Sequence, residues 1–275
     1  MMSVATLALE PRLGGISRLP RGWPGTSERI GHLSTSIGLR CLLLDGGGGT
    51  LLDESLRGYR SALGELGVRV VQNSLSEVCG SWVAPSRLAP QIEPTPSIAA
   101  GWDAGVATRY APGSTLIVVP ASLLRRRSAE WLRQQARSGA TVVFESAAAF
   151  AGPEEFRAQS RLIRSALGVT IEAVCDWWHP SSASREMPYV RYRWPVGATV
   201  RDFSRAVTVA DADTIARVRG QPVAARKRLG RGALVFLGSP LGPHLLSRDP
   251  DAARWLASLL RAFNHRESPG RSGRL

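Results

Sequence analysis

The residues of this sequence that could do chemistry stand at the ends of short apolar runs. Glu145 and Ser146 end one such run, Asp45 ends another, and His244 follows a third. In an open parallel sheet, ligands and nucleophiles lie at the carboxyl ends of the strands. The turn after Phe144 therefore largely decides whether this chain is an enzyme.

Ser146 could act as a nucleophile only with a histidine within hydrogen-bond reach. The candidates are His244 and His179, and together they define a serine-dependent hydrolase as one alternative. The local sequence, Glu145-Ser146-Ala147-Ala148, lacks the Gly-x-Ser-x-Gly pattern that relieves crowding at a nucleophile elbow. We therefore favour a capping or turn role for Ser146 and for His244, and lean against enzyme activity.

The glycine run after Asp45 is a second candidate site. Glycine amides at the start of a helix can bind a phosphate, and Gly46 and Gly47 are the first two of four glycines. The run fits neither the Walker spacing nor GxGxxG, so a flexible turn is the simpler interpretation. Asp45 with Asp53 could bind a metal ion, but two carboxylates without a histidine are a weak signal. No metal or cofactor is predicted.

Aromatic residues concentrate in one later stretch. The sequence Trp177-Trp178-His179 is followed by Tyr189, Tyr192 and Trp194. Such residues can stack on sugars or anchor an interface, and Trp178 is our candidate for that role. The alternative, a small core that seals this stretch onto the main sheet, is the favoured one.

The composition limits the function classes. The 275 residues carry a net charge of +13, which invites a nucleic-acid interpretation. However, Lys227 is the only lysine among 35 basic residues, and the arginines are scattered, as codon bias in a GC-rich bacterial genome would produce. An arginine-rich nucleic-acid-binding accessory protein is therefore kept only as a further alternative. No apolar run approaches the ~18 residues of a membrane span. The three cysteines are few and far apart, so we expect a cytoplasmic protein.

Periodicity and glycine signals predict an α/β fold with a mostly parallel, flavodoxin-like sheet and helices on both faces. Ser122 is predicted to cap the helix that follows the strand ending at Pro120. The predicted strands cover 39–44, 68–71, 114–119, 140–144, 169–171, 222–226 and 233–237, and the predicted helices cover 52–66, 124–137, 153–167 and 249–263.

The predicted organisation is a single domain between a disordered leader and a disordered tail. Residues 1–37 and 265–275 lack a sustained period and are expected to be a disordered leader and tail. The domain spans 38–264. Within it, 74–112 is irregular and 172–222 is a β-rich insertion, since its short alternating runs are typical of antiparallel strands.

Three segments resemble the class I glutamine amidotransferase-like fold. They are STLIVVPAS, SGATVVFES and GRGALVFLGSPLG, and the resemblance covers roughly 39–171 and 222–263. The pattern is most similar to non-catalytic relatives such as the trimerisation domains of certain galactosidases. The resemblance implies a homo-oligomer or a partner protein, with a small-molecule ligand as another option.

The catalytic residues of that class are absent from the matching positions. Its enzymes carry a cysteine in Gly-x-Cys-x-Gly at the elbow, where this chain has Ser146, and a His-Pro-Glu where it has Ser239-Pro240-Leu241. A thiolate nucleophile needs an adjacent base. The resemblance therefore implies a non-catalytic domain that binds a ligand or a partner at the carboxyl edge of the sheet. Besides Trp178, the predicted binding residues are Asp45, Gly46, Gly47, Ser122, Glu145, Ser146 and Ser239.

Overall fold

The computed structural model describes residues 39–46, 50–80, 115–146, 150–177, 188–201, 205–210 and 213–264. The predicted leader, the predicted tail and most of the irregular stretch 74–112 lie outside these residues. The strands are β1 Arg40–Asp45, β2 Arg69–Ser74, β3 Thr115–Ser122, β4 Thr141–Ser146, β5 Ile171–Cys175, β6 Tyr189–Tyr192, β7 Ala198–Arg201, β8 Ala206–Val209, β9 Thr214–Val218, β10 Gln221–Leu229 and β11 Gly232–Leu237. The helices are α1 Thr50–Glu65, α2 Leu75–Gly80, α3 Arg126–Ser138, α4 Pro153–Leu167, α5 Gly242–Leu246 and α6 Pro250–Asn264.

The protein is α/β, and its main sheet has nine strands in the order β2-β1-β3-β4-β11-β10-β9-β6-β7. The first five strands of this order pair in parallel. The helices cover both faces of this half, and its central strands β3, β4 and β11 are buried along their whole length. Continuous apolar runs of this kind are typical of strands covered on both sides, which is why the sequence located them well.

The other half of the sheet is antiparallel, so the expected mostly parallel sheet is in fact mixed. Strand β10 pairs with β11 and β9, and β6 pairs with β9 and β7, all antiparallel. The predicted β-rich insertion supplies β6, β7 and β9, which extend the main sheet instead of lying on it. Strands β5 and β8 form a separate two-stranded sheet. The alternation of apolar and polar residues predicted these strands. Which sheet each strand joins depends on long-range pairing, which the sequence pattern does not specify.

Two apolar layers enclose the sheet. One contains residues of α1, α5 and α6 with one face of the strands, and the other contains residues of α2, α3 and α4 with the opposite face. Cys41 lies fully buried in the first layer, as expected of a small hydrophobe, and this burial raises the pKa of its thiol. Within the described residues, no helix is long and apolar enough to cross a bilayer.

The end of β3 differs from the prediction. The strand continues past Pro120 to Ser122, and α3 begins only at Arg126, after an N-cap residue, Arg125, that makes no side-chain cap. The Ser122 hydroxyl instead donates to the Pro120 carbonyl oxygen at 2.7 Å. The predicted capping role of Ser122 is therefore wrong, because its hydroxyl closes a turn within its own strand. Helix α2 also occupies the start of the stretch that was expected to be irregular.

Side chains of α6 cover the edge strand β7. The Thr199 backbone N–H donates to Asp251 Oδ2 at 2.9 Å, and the Gly197 carbonyl accepts from Arg254 at 3.0 Å. Asp251 and Arg254 also pair with each other at 3.0 Å. Exposed strand edges invite pairing with another chain, and polar groups held along an edge prevent it. These contacts therefore close this end of the sheet to strand addition.

Helices α1 and α5 approach each other closely because glycines lie at their contact. A Cβ added at Gly58 would lie far closer to the Gly242 carbonyl oxygen than van der Waals contact allows. A Cβ at Gly242 would lie 2.7 Å from Ser55 Oγ. These two glycines let the backbones touch, and this contact holds the turn after β11 against α1.

This packing predicts that Gly58→Ala destabilises the protein, although alanine normally stabilises a helix. Overpacking typically costs about 1–3 kcal/mol of the free energy of unfolding. Gly64→Ala in the same helix is the matched control, since nothing lies within 4 Å of its added Cβ. That control should be neutral or stabilising by up to roughly 1 kcal/mol. Urea unfolding of the two variants measures the difference, and equal effects would contradict the packing argument.

Candidate functional site

The carboxyl ends of four adjacent parallel strands meet at one edge of the sheet. Register places Ser122 of β3 beside Ser146 of β4, and Glu145 beside Leu237 of β11. Asp45 ends β1, the next strand on the other side of β3. The structure thus brings these predicted residues to a common edge, as expected for a parallel sheet.

Gly46 packs directly against Ser122 at this edge. A Cβ at Gly46 would overlap the Ser122 hydroxyl, so the first residue of the glycine run is needed for close approach. Between Pro120 and Ser122, Ala121 adopts a φ of 38° at an irregularity in the β3–β4 register. A residue other than glycine with positive φ stores strain, which the surrounding contacts must hold.

Glu145 is the centre of the site. Its carboxyl is fully buried, at 0% exposure, although it is a charged residue type. Oxygen Oε1 accepts three hydrogen bonds: from Tyr59 Oη at 2.7 Å, from the Leu241 N–H at 2.7 Å and from the Gly242 N–H at 3.1 Å. Buried carboxyl groups require such partners because leaving them unpaired is costly. Glu145 thereby connects β4 to α1 and to the start of α5.

The two backbone donors, the Leu241 and Gly242 N–H groups, explain why a buried carboxyl is stable at this position. The first N–H groups of a helix have no partner within the helix. Leu241, the N-cap residue of α5, has no side chain that could satisfy them. The carboxyl of Glu145 on a neighbouring strand does so instead, and thus caps α5 from a distance of 97 residues along the chain.

The environment of Glu145 raises the pKa of its carboxyl above the ordinary value. Burial is the main cause, and the hydrogen bonds from Tyr59, Leu241 and Gly242 oppose it in part. The Ala121 backbone N–H also lowers this pKa, while Oε2 makes no well-formed hydrogen bond with the described residues. Burial and the neighbouring carboxyl together raise the pKa of Tyr59 well above its usual value, so its hydroxyl stays protonated and donates.

The candidate nucleophile and base are enclosed as well. Ser146, Ser239 and His244 are all buried. Burial lowers the pKa of His244 to about 4, with Arg201 adding to this effect and Asp249 opposing it. An imidazole with this pKa is neutral at physiological pH and a weak base. These groups lie in the protein interior and not on an open surface.

The aromatic cluster divides between the core and the surface. Tyr192 is buried with its ring centroid 4.7 Å from that of Trp255, and Trp194 packs against Phe263 at 6.1 Å. Trp177 is partly buried against the same apolar layer. Tyr192, Trp194 and Trp177 therefore belong to the core, as the favoured interpretation expected. Tyr189, in contrast, is 42% exposed.

Several predicted site residues lie outside the described parts of the chain, namely Gly47, Trp178 and His179. Of the predicted binding residues that are described, only Asp45 and Gly46 are partly exposed. Among the described residues, no group of three or more His, Cys, Asp or Glu side chains could hold a metal ion. Within the described residues, Asp45 and Asp53 are therefore not part of a group of three possible metal ligands.

Sequence reasoning missed the partners of Glu145. Tyr59 falls within the predicted helix 52–66 but was given no site role, and the Leu241 and Gly242 amides carry no side-chain signal. The usable signal was a carboxylate inside an otherwise apolar strand end, because a buried carboxylate must find donors. Where those donors lie along the chain could not be deduced.

Comparisons with known proteins place the fold but no family. A cytoplasmic protein from Salmonella typhimurium LT2 has a TM-score of 0.52 at 12% identity, covering 82% of this chain and 99% of that chain. A β-galactosidase from Rahnella sp. R3 has a TM-score of 0.51 at 11% identity, covering 82% of this chain and 31% of that one. An exo-β-1,4-mannosidase from Opitutaceae bacterium strain TAV5 has a TM-score of 0.48 at 13% identity, covering 82% and 36%.

The similarity to the Salmonella protein and to the Rahnella β-galactosidase shows a shared fold at low identity. The chain spans about a third of the length of the two glycosidases and nearly the whole of the Salmonella protein. The expected likeness to galactosidase domains is confirmed at the level of the fold. No protein-family model and no curated protein matches the chain.

The geometry predicts that Glu145→Ala strongly destabilises the protein. The change leaves three buried donors without an acceptor, and each unsatisfied group costs about 1–3 kcal/mol of the free energy of unfolding. Glu145→Gln keeps an oxygen in place of Oε1 and should cost less. The control Glu130→Ala removes an exposed ion pair with Arg126 and should change stability by less than about 1 kcal/mol.

The raised pKa of Glu145 also predicts a pH dependence. The folded protein holds this proton to a higher pH than the unfolded chain, so its stabilising effect is complete below the unfolded pKa, about 4.3. The effect is lost as pH rises through the folded pKa. Wild type should therefore lose stability relative to Glu145→Gln over this interval, as measured by urea unfolding at several pH values. Parallel pH profiles would contradict the assignment.

Proposed function

We propose that this chain is a non-catalytic, amidotransferase-like α/β domain that mediates protein association. The observation that carries the proposal is the Glu145 carboxyl, which fills the elbow region and binds the backbone that begins α5. Where enzymes of the resembling class hold a nucleophile and a base in an open site, this chain has a closed structural connection.

The strand order supports the finer assignment of the fold. The parallel half follows the order β2-β1-β3-β4-β11, and β11 is the fifth of these strands along the chain. This is the 2-1-3-4-5 order of flavodoxin-like sheets. We therefore propose a flavodoxin-like core to which the antiparallel strands are added.

The chemistry of the candidate residues argues against a serine hydrolase. A general base works best with a pKa near the operating pH, whereas the pKa of His244 is about 4. A substrate would also need access to Ser146, whose side chain is buried next to Glu145. The same burial of Ser122 and Ser239 argues against the binding of a small molecule by these two side chains.

Association is further supported by where this fold occurs. It forms nearly the whole of one Salmonella protein and part of a much longer β-galactosidase. A domain used in both settings is suited to bind other chains, including copies of itself. We propose self-association, since the resemblance stated above is to trimerisation domains.

The non-catalytic proposal predicts that Ser146 does not react with a fluorophosphonate, the general probe for activated serines. Mass spectrometry of the treated protein should show no adduct, because a neutral, weakly basic His244 cannot activate the hydroxyl. In histidine NMR spectra, His244 should remain neutral from about pH 8 to 5 and titrate near pH 4. An adduct that Ser146→Ala abolishes would overturn the proposal.

Self-association predicts a solution mass that is a multiple of the 29.6 kDa chain. Size-exclusion chromatography with light scattering measures this mass across a range of protein concentrations. A monomer at every concentration would contradict self-association. That result would not affect the proposal that the domain is non-catalytic, because the fluorophosphonate experiment tests that proposal separately.

A further inference from the structure

The antiparallel half of the sheet has an outer face that carries arginine and tyrosine. Along β6, side chains alternate between exposed and buried, so Tyr189 and Arg191 point outward while Val190 and Tyr192 enter the core. Thr199 of β7 is exposed on the same face as Arg191, its cross-strand partner. We call this surface the arginine face: Tyr189, Arg191, Thr199 and Arg217.

Strand register places like charges side by side on the arginine face. Arg191 of β6 lies directly opposite Arg217 of β9, with Thr199 and Pro222 as the next partners on either side. Side chains opposite each other across strands have Cβ atoms about 5 Å apart, and like charges there are destabilising. This row contains no carboxylate to offset the repulsion.

The cations of this face are available for a ligand. The Arg191 side chain is exposed and makes no hydrogen bond or ion pair with the described residues. Among the described residues, the Arg217 side chain donates to the Gly220 carbonyl, at 2.7 Å, which leaves its charge without a carboxylate there. Some arginines elsewhere are paired, since Arg126 pairs with Glu130 at 3.1 Å and Arg254 with Asp251 at 3.0 Å.

An aromatic ring lies among these charges. Tyr189 is the one exposed large hydrophobic side chain among the described residues. It lies opposite Arg201 and two positions from Arg191 on the same face of β6. A flat exposed ring beside the Arg191 guanidinium offers stacking and a phosphate contact together.

We propose that the arginine face binds single-stranded nucleic acid. Proteins that do so combine a cationic surface along the phosphate backbone with aromatic rings on which bases stack. Arg191 and Arg217 would contact phosphates, and Tyr189 would stack on a base. A second copy of this face does not fit, because it would place arginines against arginines. Strand addition does not fit either, because α6 side chains cover the edge of β7.

This inference concerns a surface separate from the Glu145 site and does not depend on the proposed function. The sequence argued against nucleic acid because the arginines are scattered along it. Arg191 and Arg217 stand 26 residues apart in the sequence, yet the β6–β9 register makes them neighbours. Folding thus produces a concentration of charge that the order of residues does not show.

Fluorescence anisotropy with a labelled oligothymidylate of about 20 nucleotides tests the proposal, since this length exceeds the usual binding footprint. Wild type should bind, and affinity should fall steeply between about 50 and 200 mM salt. Arg191→Gln and Arg217→Gln should each weaken binding and reduce the slope of log K against log salt by about 0.7. Tyr189→Ala should weaken binding roughly fivefold to a hundredfold, while Tyr189→Phe retains it.

The matched control is Arg57→Gln, which removes one exposed arginine from α1, away from this face. It should leave the affinity and the salt slope unchanged. All these side chains are at the surface, so thermal melts should confirm intact folding. An equal loss in Arg57→Gln would overturn the proposal as a general charge effect. Binding to heparin or phosphatidylserine vesicles without binding to the oligonucleotide would overturn it also.

Discussion

The closed end of this α/β sheet depends on one buried carboxyl. Glu145 accepts hydrogen bonds from a tyrosine on α1 and from the first two amides of α5. A carboxyl in the core costs free energy unless it is hydrogen-bonded, and helix-terminal amides need an acceptor. Each group therefore satisfies the other, and the strand, the helix and the turn are held in a single arrangement.

That arrangement is possible because the backbones of α1 and α5 approach without side chains between them. Gly58 and Gly242 form the contact, and Ser55 lies beside them. The close approach brings Tyr59 and the α5 amides to the same oxygen of Glu145. Packing and hydrogen bonding thus depend on each other at the carboxyl edge of the parallel strands.

The antiparallel half follows different constraints. The parallel strands are covered on both faces, while β6 and β7 alternate between a buried and an exposed side. One side of these strands packs on α6 through Tyr192 and Trp255. On the other side, Arg191 and Arg217 lie directly opposite each other. The buried Glu145 site and this charged surface therefore belong to different halves of the sheet.

The sequence by itself determined the local elements of this protein. Apolar runs such as 115–119 located most strands, because a strand buried on both faces is apolar throughout. Glycines such as Gly139 and Gly168 located helix ends, because the residue that ends a helix often has a positive φ. It also placed Glu145 and Ser146 at a carboxyl edge. The prediction that Ser122 caps the following helix was wrong, because its hydroxyl donates to the Pro120 carbonyl before it instead of accepting from an amide after it.

Only the tertiary structure decided what these residues do. The three donors to Glu145 Oε1 are 86 and more residues away, and two of them are backbone amides without any side-chain signature. The pairing of Arg191 with Arg217 likewise depends on strand register, which a two-residue side-chain period leaves undetermined. Local propensity specifies elements, whereas burial and long-range pairing specify partners. The turn after Phe144 therefore became a structural connection only once the chain had folded around it.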